Sequence, residues 1–283
     1  MQKQPKSIEQ TTTKMRTKIF HLAEVVIVFL LMVFLFHYFQ SIPLAEKWSS
    51  SMGGLPFPGY AVLLIASVSV FFFRCPHQAR QLRTVSFNRH LGIIGQTFIP
   101  FFVLSVALSW INWQNWGGAI LISIIEIGLL IWIASTVKDN QPPAKKASLI
   151  NGMIVTPILF LSASKIGDVI ISIIYFYIFV AFSEEILFRG YIQTRLNMAF
   201  GHSATVFGVQ VGWGSLISAI LFGFWHLGLA MGELRWPHVL WTFFAGLIFA
   251  FVREKSESIL APTILHGIMN YGPQAILFYL FWR

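Results

Sequence analysis

Long apolar segments recur along the sequence and restrict its fold more than any other feature. The chain has 283 residues, of which 56% are hydrophobic and 11% are charged, whereas a soluble domain carries about 25% charged residues. A bilayer core offers no water to the backbone, so apolar segments of this length are expected to be helices. We therefore predict an all-α fold, a polytopic transmembrane helical bundle, and an integral, multi-pass membrane protein.

The apolar segments predict eight or nine spans. Residues 1–18 are predicted to form a basic cytoplasmic tail, and residues 19–283 a single transmembrane bundle, since no long polar linker divides them. The shortest segment, 149–163, is either a span or a re-entrant segment. The nine predicted spans are 19–40, 57–73, 91–110, 117–137, 149–163, 169–195, 214–229, 236–252 and 258–281.

Lysine and arginine residues are distributed unevenly between the two predicted sides of the membrane. With the N-terminus inside, nine spans place fifteen of them on the inner side and four on the outer side. Basic loops are typical of the cytoplasmic side, which predicts a cytoplasmic N-terminus. The net charge of +9 then needs no nucleic-acid partner, because no soluble basic domain is present to bind one. The single cysteine, Cys75, excludes an intrachain disulfide.

One predicted span contains three charged residues within six positions: Glu184, Glu185 and Arg189. Charge at membrane depth is costly and indicates a functional site by default. Glu185 and Arg189 are four residues apart and are predicted to pair on one helix face. Glu184 is rotated by about 100° and stays free to act as a base. The alternative is that the pair only fixes helix packing. Glu126, in another span, is predicted to be structural or to pair within the bundle.

Two later spans bring polar residues to a similar depth. At a rise of about 1.5 Å per residue, Glu184, His226 and Asn270 lie roughly 16–18 Å from the cytoplasmic surface, and His266 roughly 12 Å. His266 and Asn270 are one turn apart on one face, and Phe222 precedes His226 by one turn, where it could wall a pocket. A single membrane histidine is also typical of a helix–helix hydrogen bond. The joint occurrence of these residues favours a functional site.

These residue types suit hydrolysis of an amide by water. A carboxylate and an imidazole can activate water, and a second imidazole and an amide NH₂ can stabilise an oxyanion. No cofactor is predicted. A zinc ion held by Glu184, His226 and His266 would use the same atoms. The His-Glu-x-x-His motif of zinc proteases is absent from the sequence, which favours the metal-free route.

Three ordered motifs resemble those of the CAAX protease and bacteriocin-processing family of intramembrane endopeptidases, which includes the type II CAAX prenyl endopeptidases. The motifs are Glu-Glu-x-x-x-Arg at 184–189, Phe-x-x-x-His at 222–226 and His-x-x-x-Asn at 266–270, within a protease-like region, 169–282. By this resemblance Glu184 and His226 activate water. The resemblance implies further that His266 and Asn270 stabilise the oxyanion and that Glu185, Arg189 and Phe222 support the site.

The resemblance implies a glutamate-type protease of a prokaryotic cell membrane. Its partners would be the lipid bilayer and a membrane-associated or hydrophobic peptide or protein, which a prenyl group could anchor. Because the family includes proteins linked to bacteriocin immunity, the alternative is a non-catalytic immunity or peptide-binding membrane protein. A proton-coupled transporter would also bury carboxylates, but the internal repeat expected of one is missing.

Overall fold

The computed structural model describes residues 5–44, 47, 57–81, 87–137, 170–228 and 234–281. These residues form nine helices and one β-hairpin, so the predicted helical architecture is confirmed in its main part. The elements are α1 (Pro5–Gln40), α2 (Phe57–Arg74), α3 (Pro76–Gln81), α4 (Phe87–Trp110), α5 (Trp116–Thr136), α6 (Ile170–Phe200), β1 (His202–Val206), β2 (Val209–Gly212), α7 (Trp213–Trp225), α8 (Trp236–Ser256) and α9 (Leu260–Phe281).

Several of these helices have the length and composition of membrane spans, as an integral membrane protein requires. Two shorter apolar helices, Gly92–Val106 and Trp213–Trp225, accompany them. The number of spans, eight or nine, and the cytoplasmic N-terminus remain predictions, and segment 149–163 lies outside the described residues. Within those residues, five helices qualify as spans: Met15–Gln40, Phe57–Arg74, Trp116–Thr136, Ile170–Phe200 and Trp236–Ser256.

Two helices extend beyond the predicted spans, and the division into a cytoplasmic tail, 1–18, and a bundle remains a prediction. Helix α1 begins at Pro5, so most of the predicted tail, 1–18, continues the first span as a helix. Helix α6 continues to Phe200, five residues beyond the predicted end of its span. The residues added to α1 are mostly polar, whereas those added to α6, Leu-Asn-Met-Ala-Phe at 196–200, are mostly apolar. In both places the adjacent helix is already formed, so each added residue gains a backbone hydrogen bond.

The β-hairpin after α6 was not predicted. Its strands pair antiparallel, with Val206 opposite Val209. The two turn residues, Phe207 and Gly208, have φ values of 48° and 81°, as a two-residue turn between right-twisted strands requires. The glycine at the second turn position and the Val-Gln-Val alternation of β2 are the local signals for this hairpin.

Close packing of helices surrounds the central helix, α6. Helix α7 packs on α8, α9 packs on α4 and on the first part of α6, and α1 packs on α2. Glycine permits a close approach between α7 and α8, since a Cβ atom at Gly246 would lie 3.1 Å from the Ala219 Cα. The polar residues of α6 are therefore surrounded by helices from both halves of the chain.

The winding of α6 changes where it carries the two glutamates. Segments Ile174–Phe182 and Ile186–Gln193 are π-helical, and the α-helical turn Ser183–Glu185 lies between them. The Ser183 hydroxyl donates to the carbonyls of Phe179 and Val180, one turn back. Because π-helical turns are rare and frequently occur at functional sites, the winding itself draws attention to Glu184 and Glu185.

Candidate active site

Glu184 is fully buried, and its two carboxylate oxygens have different surroundings. Oε1 accepts hydrogen bonds from the Tyr60 hydroxyl at 3.0 Å and from the Trp225 indole Nε1 at 3.2 Å. Oε2 has no hydrogen-bond partner among the described residues, and it lies 3.8 Å from His266 Nε2. A polar separation of this length can hold a bridging water molecule, so Oε2 is the oxygen available to a reactant.

Glu185 and Arg189 of α6 together connect this helix to α8 and α9. Glu185 Oε1 accepts from Arg189 Nη1 at 3.0 Å, so the predicted ion pair forms, and from His266 Nδ1 at 2.9 Å. Arg189 also donates through Nη2 to the Gly246 carbonyl at 3.0 Å. All of these side chains are buried. The ion pair of α6 therefore orients an imidazole of α9 and is anchored to α8.

Three aromatic rings surround the Arg189 guanidinium. Its Cζ lies 4.4 Å from the Phe222 ring centroid, 5.3 Å from that of Phe249 and 5.7 Å from that of Phe188. Aromatic faces attract cations, and the attraction is largest where water is excluded. Phe222, predicted as a pocket wall, thus also helps to stabilise the buried cation.

His226 lies at the end of a helix, because α7 stops at Trp225 and His226 is its C-cap, with φ −92° and ψ 10°. The predicted helical span, 214–229, is therefore wrong at this end. His226 Nδ1 lies 2.8 Å from the Phe222 carbonyl oxygen. A carbonyl can only accept, so Nδ1 carries the proton and, in the neutral ring, Nε2 is the acceptor. The imidazole therefore lies just beyond the last helical residue of α7, beside the Phe222 ring.

The ring of Phe222 connects the two predicted histidines. Its centroid lies 4.8 Å from that of His226 and 5.6 Å from that of His266. The structure thus brings His266 to both glutamates, within 4 Å of Glu184, and places His226 on the Phe222 ring that also contacts His266. Asn270 is half-buried, one turn beyond His266 on α9, and the predicted catalytic roles of these residues remain predictions.

Sequence reasoning missed three residues at or beside this site. Tyr60 and Trp225 bind Glu184, and the His238 ring lies 5.1 Å from that of His226. Trp225 could have been noticed because it precedes the histidine of the second motif. Tyr60 is 124 residues from Glu184, and no local pattern connects the two positions.

Two further predictions concern metal and Glu126. Within the described ranges, no group of three histidine, cysteine, aspartate or glutamate side chains could hold a metal ion. The zinc alternative, with Glu184, His226 and His266 as ligands, remains a matter for metal analysis. Glu126 is fully buried, and neither of its oxygens has a hydrogen-bond partner in the part of the chain that the structure describes.

The fold and the site together define a class: an integral membrane protein with a buried centre of carboxylates, imidazoles and arginine. Residues 166–272 match the family described as type II CAAX prenyl endopeptidase Rce1-like, which confirms the resemblance to the CAAX protease and bacteriocin-processing family. No curated protein and no solved structure gives a significant match. The matched segment holds all three motifs, and helices α1–α5 lie outside it.

Proposed function

We propose that this protein is an intramembrane endopeptidase that hydrolyses peptide bonds of a membrane-associated or hydrophobic peptide or protein. The family match supports protease activity. The observation that carries the proposal is the buried Glu184 carboxylate, with one oxygen held by two donors and the other without a hydrogen-bond partner among the described residues. The family description also supports a prenylated substrate, whose lipid would hold it in the bilayer.

In the proposed reaction, Glu184 is the general base. A water molecule bound to Oε2 attacks the carbonyl carbon of the scissile bond, and its proton moves to Glu184 as the new C–O bond forms. His226 helps to orient that water through Nε2, the ring nitrogen that its Nδ1–H bond to the Phe222 carbonyl leaves as an acceptor. Water is the nucleophile throughout, so no covalent intermediate with the protein forms.

Charge develops on the carbonyl oxygen during this attack, and α9 carries the groups proposed to stabilise it. His266 donates through Nδ1 to Glu185. In the protonated, imidazolium form of the ring Nε2 also carries a proton, which it donates to the oxyanion, and the Asn270 amide supplies a second donor. When the intermediate collapses, the C–N bond breaks and Glu184 returns its proton to the leaving amine. The products are a carboxylic acid and an amine, and the free Glu184 carboxylate is regenerated.

The test compares peptides in membranes from cells that carry the wild-type protein, Glu184→Gln or Glu126→Gln. Glu126→Gln is the matched control, because it also neutralises a fully buried glutamate but lies outside the site. We expect the same cleavage products with wild type and Glu126→Gln and their loss with Glu184→Gln. Identical products from all three membranes would contradict the proposal and favour a binding or immunity protein.

The metal-free route has its own measurement. We expect purified wild-type protein to contain substoichiometric zinc and to keep its activity in a chelator. One zinc per chain that is lost in His226→Ala would instead assign Glu184, His226 and His266 as metal ligands.

A further inference from the structure

A residue outside the family-matched segment contacts the proposed general base. Tyr60 belongs to α2, and its hydroxyl donates to Glu184 Oε1 at 3.0 Å. We propose that Tyr60 is a positioning residue that, together with Trp225, fixes the Glu184 carboxylate so that Oε2 faces the reacting water. This inference rests on the proposed function, since it assigns the orientation of the same base.

Both donors bind the same oxygen of Glu184, at 3.0 Å for Tyr60 and 3.2 Å for Trp225. A carboxylate held at neither oxygen can rotate about its Cγ–Cδ bond and present either one. Two donors at Oε1 oppose this rotation, and hydrogen bonds to an ionised group are stronger than those between neutral groups. The lone pairs of Oε2 are then left for a reactant, as a general base requires.

The two donors are themselves held by α1. The ring centroid of Phe36 lies 4.9 Å from that of Tyr60 and 5.3 Å from that of Trp225. Gly59, immediately before Tyr60, donates its N–H to Gln40 Oε1 at 3.2 Å. A Cβ atom at Gly59 would lie 3.0 Å from the Phe36 ring and carbonyl oxygen. The contact between α1 and α2 is therefore close at the position that directs Tyr60 to Glu184.

A second tyrosine–glutamate pair in the same protein shows what a purely structural bond looks like. Tyr191 donates to Glu24 Oε1, also at 3.0 Å. Arg74 and Arg195 bind the same carboxylate, one at each oxygen, at 2.7 and 2.6 Å. Glu24 thus has both oxygens occupied, whereas Glu184 has one open oxygen among the described residues. The contrast distinguishes a positioned base from a structural carboxylate.

The kinetic test uses Tyr60→Phe, which keeps the ring and removes only the hydroxyl, with Tyr191→Phe as its matched control. The probe is an internally quenched peptide that contains the bond cleaved by wild-type membranes and spared in Glu184→Gln membranes. We expect Tyr60→Phe to lower kcat at least about tenfold, the effect of one hydrogen bond to a charged group, with KM nearly unchanged. Trp225→Phe should act in the same direction, and Tyr191→Phe should keep the wild-type kcat.

Infrared spectroscopy provides a readout that needs no turnover. The band that Glu184→Gln removes identifies the Glu184 carboxyl group, and this band should move in Tyr60→Phe and stay in place in Tyr191→Phe. If Glu184→Gln is inactive while Tyr60→Phe and Trp225→Phe keep the wild-type kcat, this inference is wrong and the proposed function stands. An active Glu184→Gln would overturn both the proposed function and this inference. Both would also be overturned if Glu184→Gln membranes cleaved every peptide that wild-type membranes cleave.

Discussion

Arg189 is a fully buried cation that its neighbours compensate in three ways. Glu185 pairs with it, the Gly246 carbonyl accepts from it, and the Phe222 ring lies 4.4 Å away. The pairing with Glu185 could be predicted from a separation of four residues on a helix. The aromatic and carbonyl contacts could not, because they come from α7 and α8, and the register between helices is set by tertiary packing.

At the residue scale we predict that Arg189→Met destabilises the fold more than the double variant Glu185→Gln, Arg189→Met. The single variant leaves a buried carboxylate without its cation, which costs about 3–5 kcal/mol, whereas removing both charges is often close to neutral. Thermal unfolding in detergent checks the order of the two midpoints. A double variant no more stable than Arg189→Met would show that the Glu185–Arg189 charge balance does not hold this site together.

Helix α9 carries His266 and Asn270, and its position depends on a close approach to α6. A Cβ atom at Gly267 would clash with the Tyr177 ring. On its other side, the Ser105 hydroxyl of α4 donates to the Ile268 carbonyl at 3.0 Å. The Ser105 hydrogen bond and the glycine at position 267 together determine where the His266 imidazole contacts Glu184 and Glu185.

At the element scale we predict that Gly267→Ala lowers both activity and the unfolding temperature, because α9 must move away from α6 to admit the methyl group. Gly128→Ala is the control, since a Cβ atom at Gly128 meets nothing within 4 Å. Alanine in an open helical position stabilises by up to about 1 kcal/mol relative to glycine. Equal activity and equal melting temperatures for the two variants would show that the contact with Tyr177 is not a constraint.

The elements also show how far sequence patterns reach. Apolar length predicts the long helices because the pattern and the structure share one cause, the lack of water around the backbone. The end of α7 at Trp225 was missed because the apolar run continues through Leu227. The backbone leaves helical geometry at His226 and is left-handed at Gly228, with φ 80°, without any change in hydropathy that would mark the end of the helix.

Across the whole molecule, helices outside the family-matched segment are joined to the central helix, α6. Glu24 of α1 accepts from Arg74 of α2 at 2.7 Å, and from Tyr191 and Arg195 of α6 at 3.0 and 2.6 Å. Tyr60 makes the corresponding connection at the site itself. The sequence offered no signal for these contacts, and α1–α5 carried no recognised motif. The contacts to α6 join residues 124 to 171 positions apart.

We predict that Glu24→Gln loosens this connection, because Arg74 and Arg195 would then lose their shared carboxylate. The single cysteine, Cys75, is the probe for this loosening, because its reactivity depends on how well it is buried. Burial raises the pKa of its thiol to about 11. At neutral pH, well below that pKa, the buried thiol stays protonated and reacts slowly with a thiol reagent. Labelling should be faster in Glu24→Gln than in wild type or Glu126→Gln, and an unchanged rate would show that Glu24 does not hold the two halves together.

The most direct measurement of the central claim is peptide cleavage by purified wild-type protein, Glu184→Gln and Glu126→Gln, with the products identified by mass spectrometry. Loss of a general base lowers the rate by about 10²–10⁴-fold. The proposed reaction therefore predicts a fall of that size in Glu184→Gln and none in Glu126→Gln, with all three proteins equally folded. Cleavage by Glu184→Gln at the wild-type rate would contradict it.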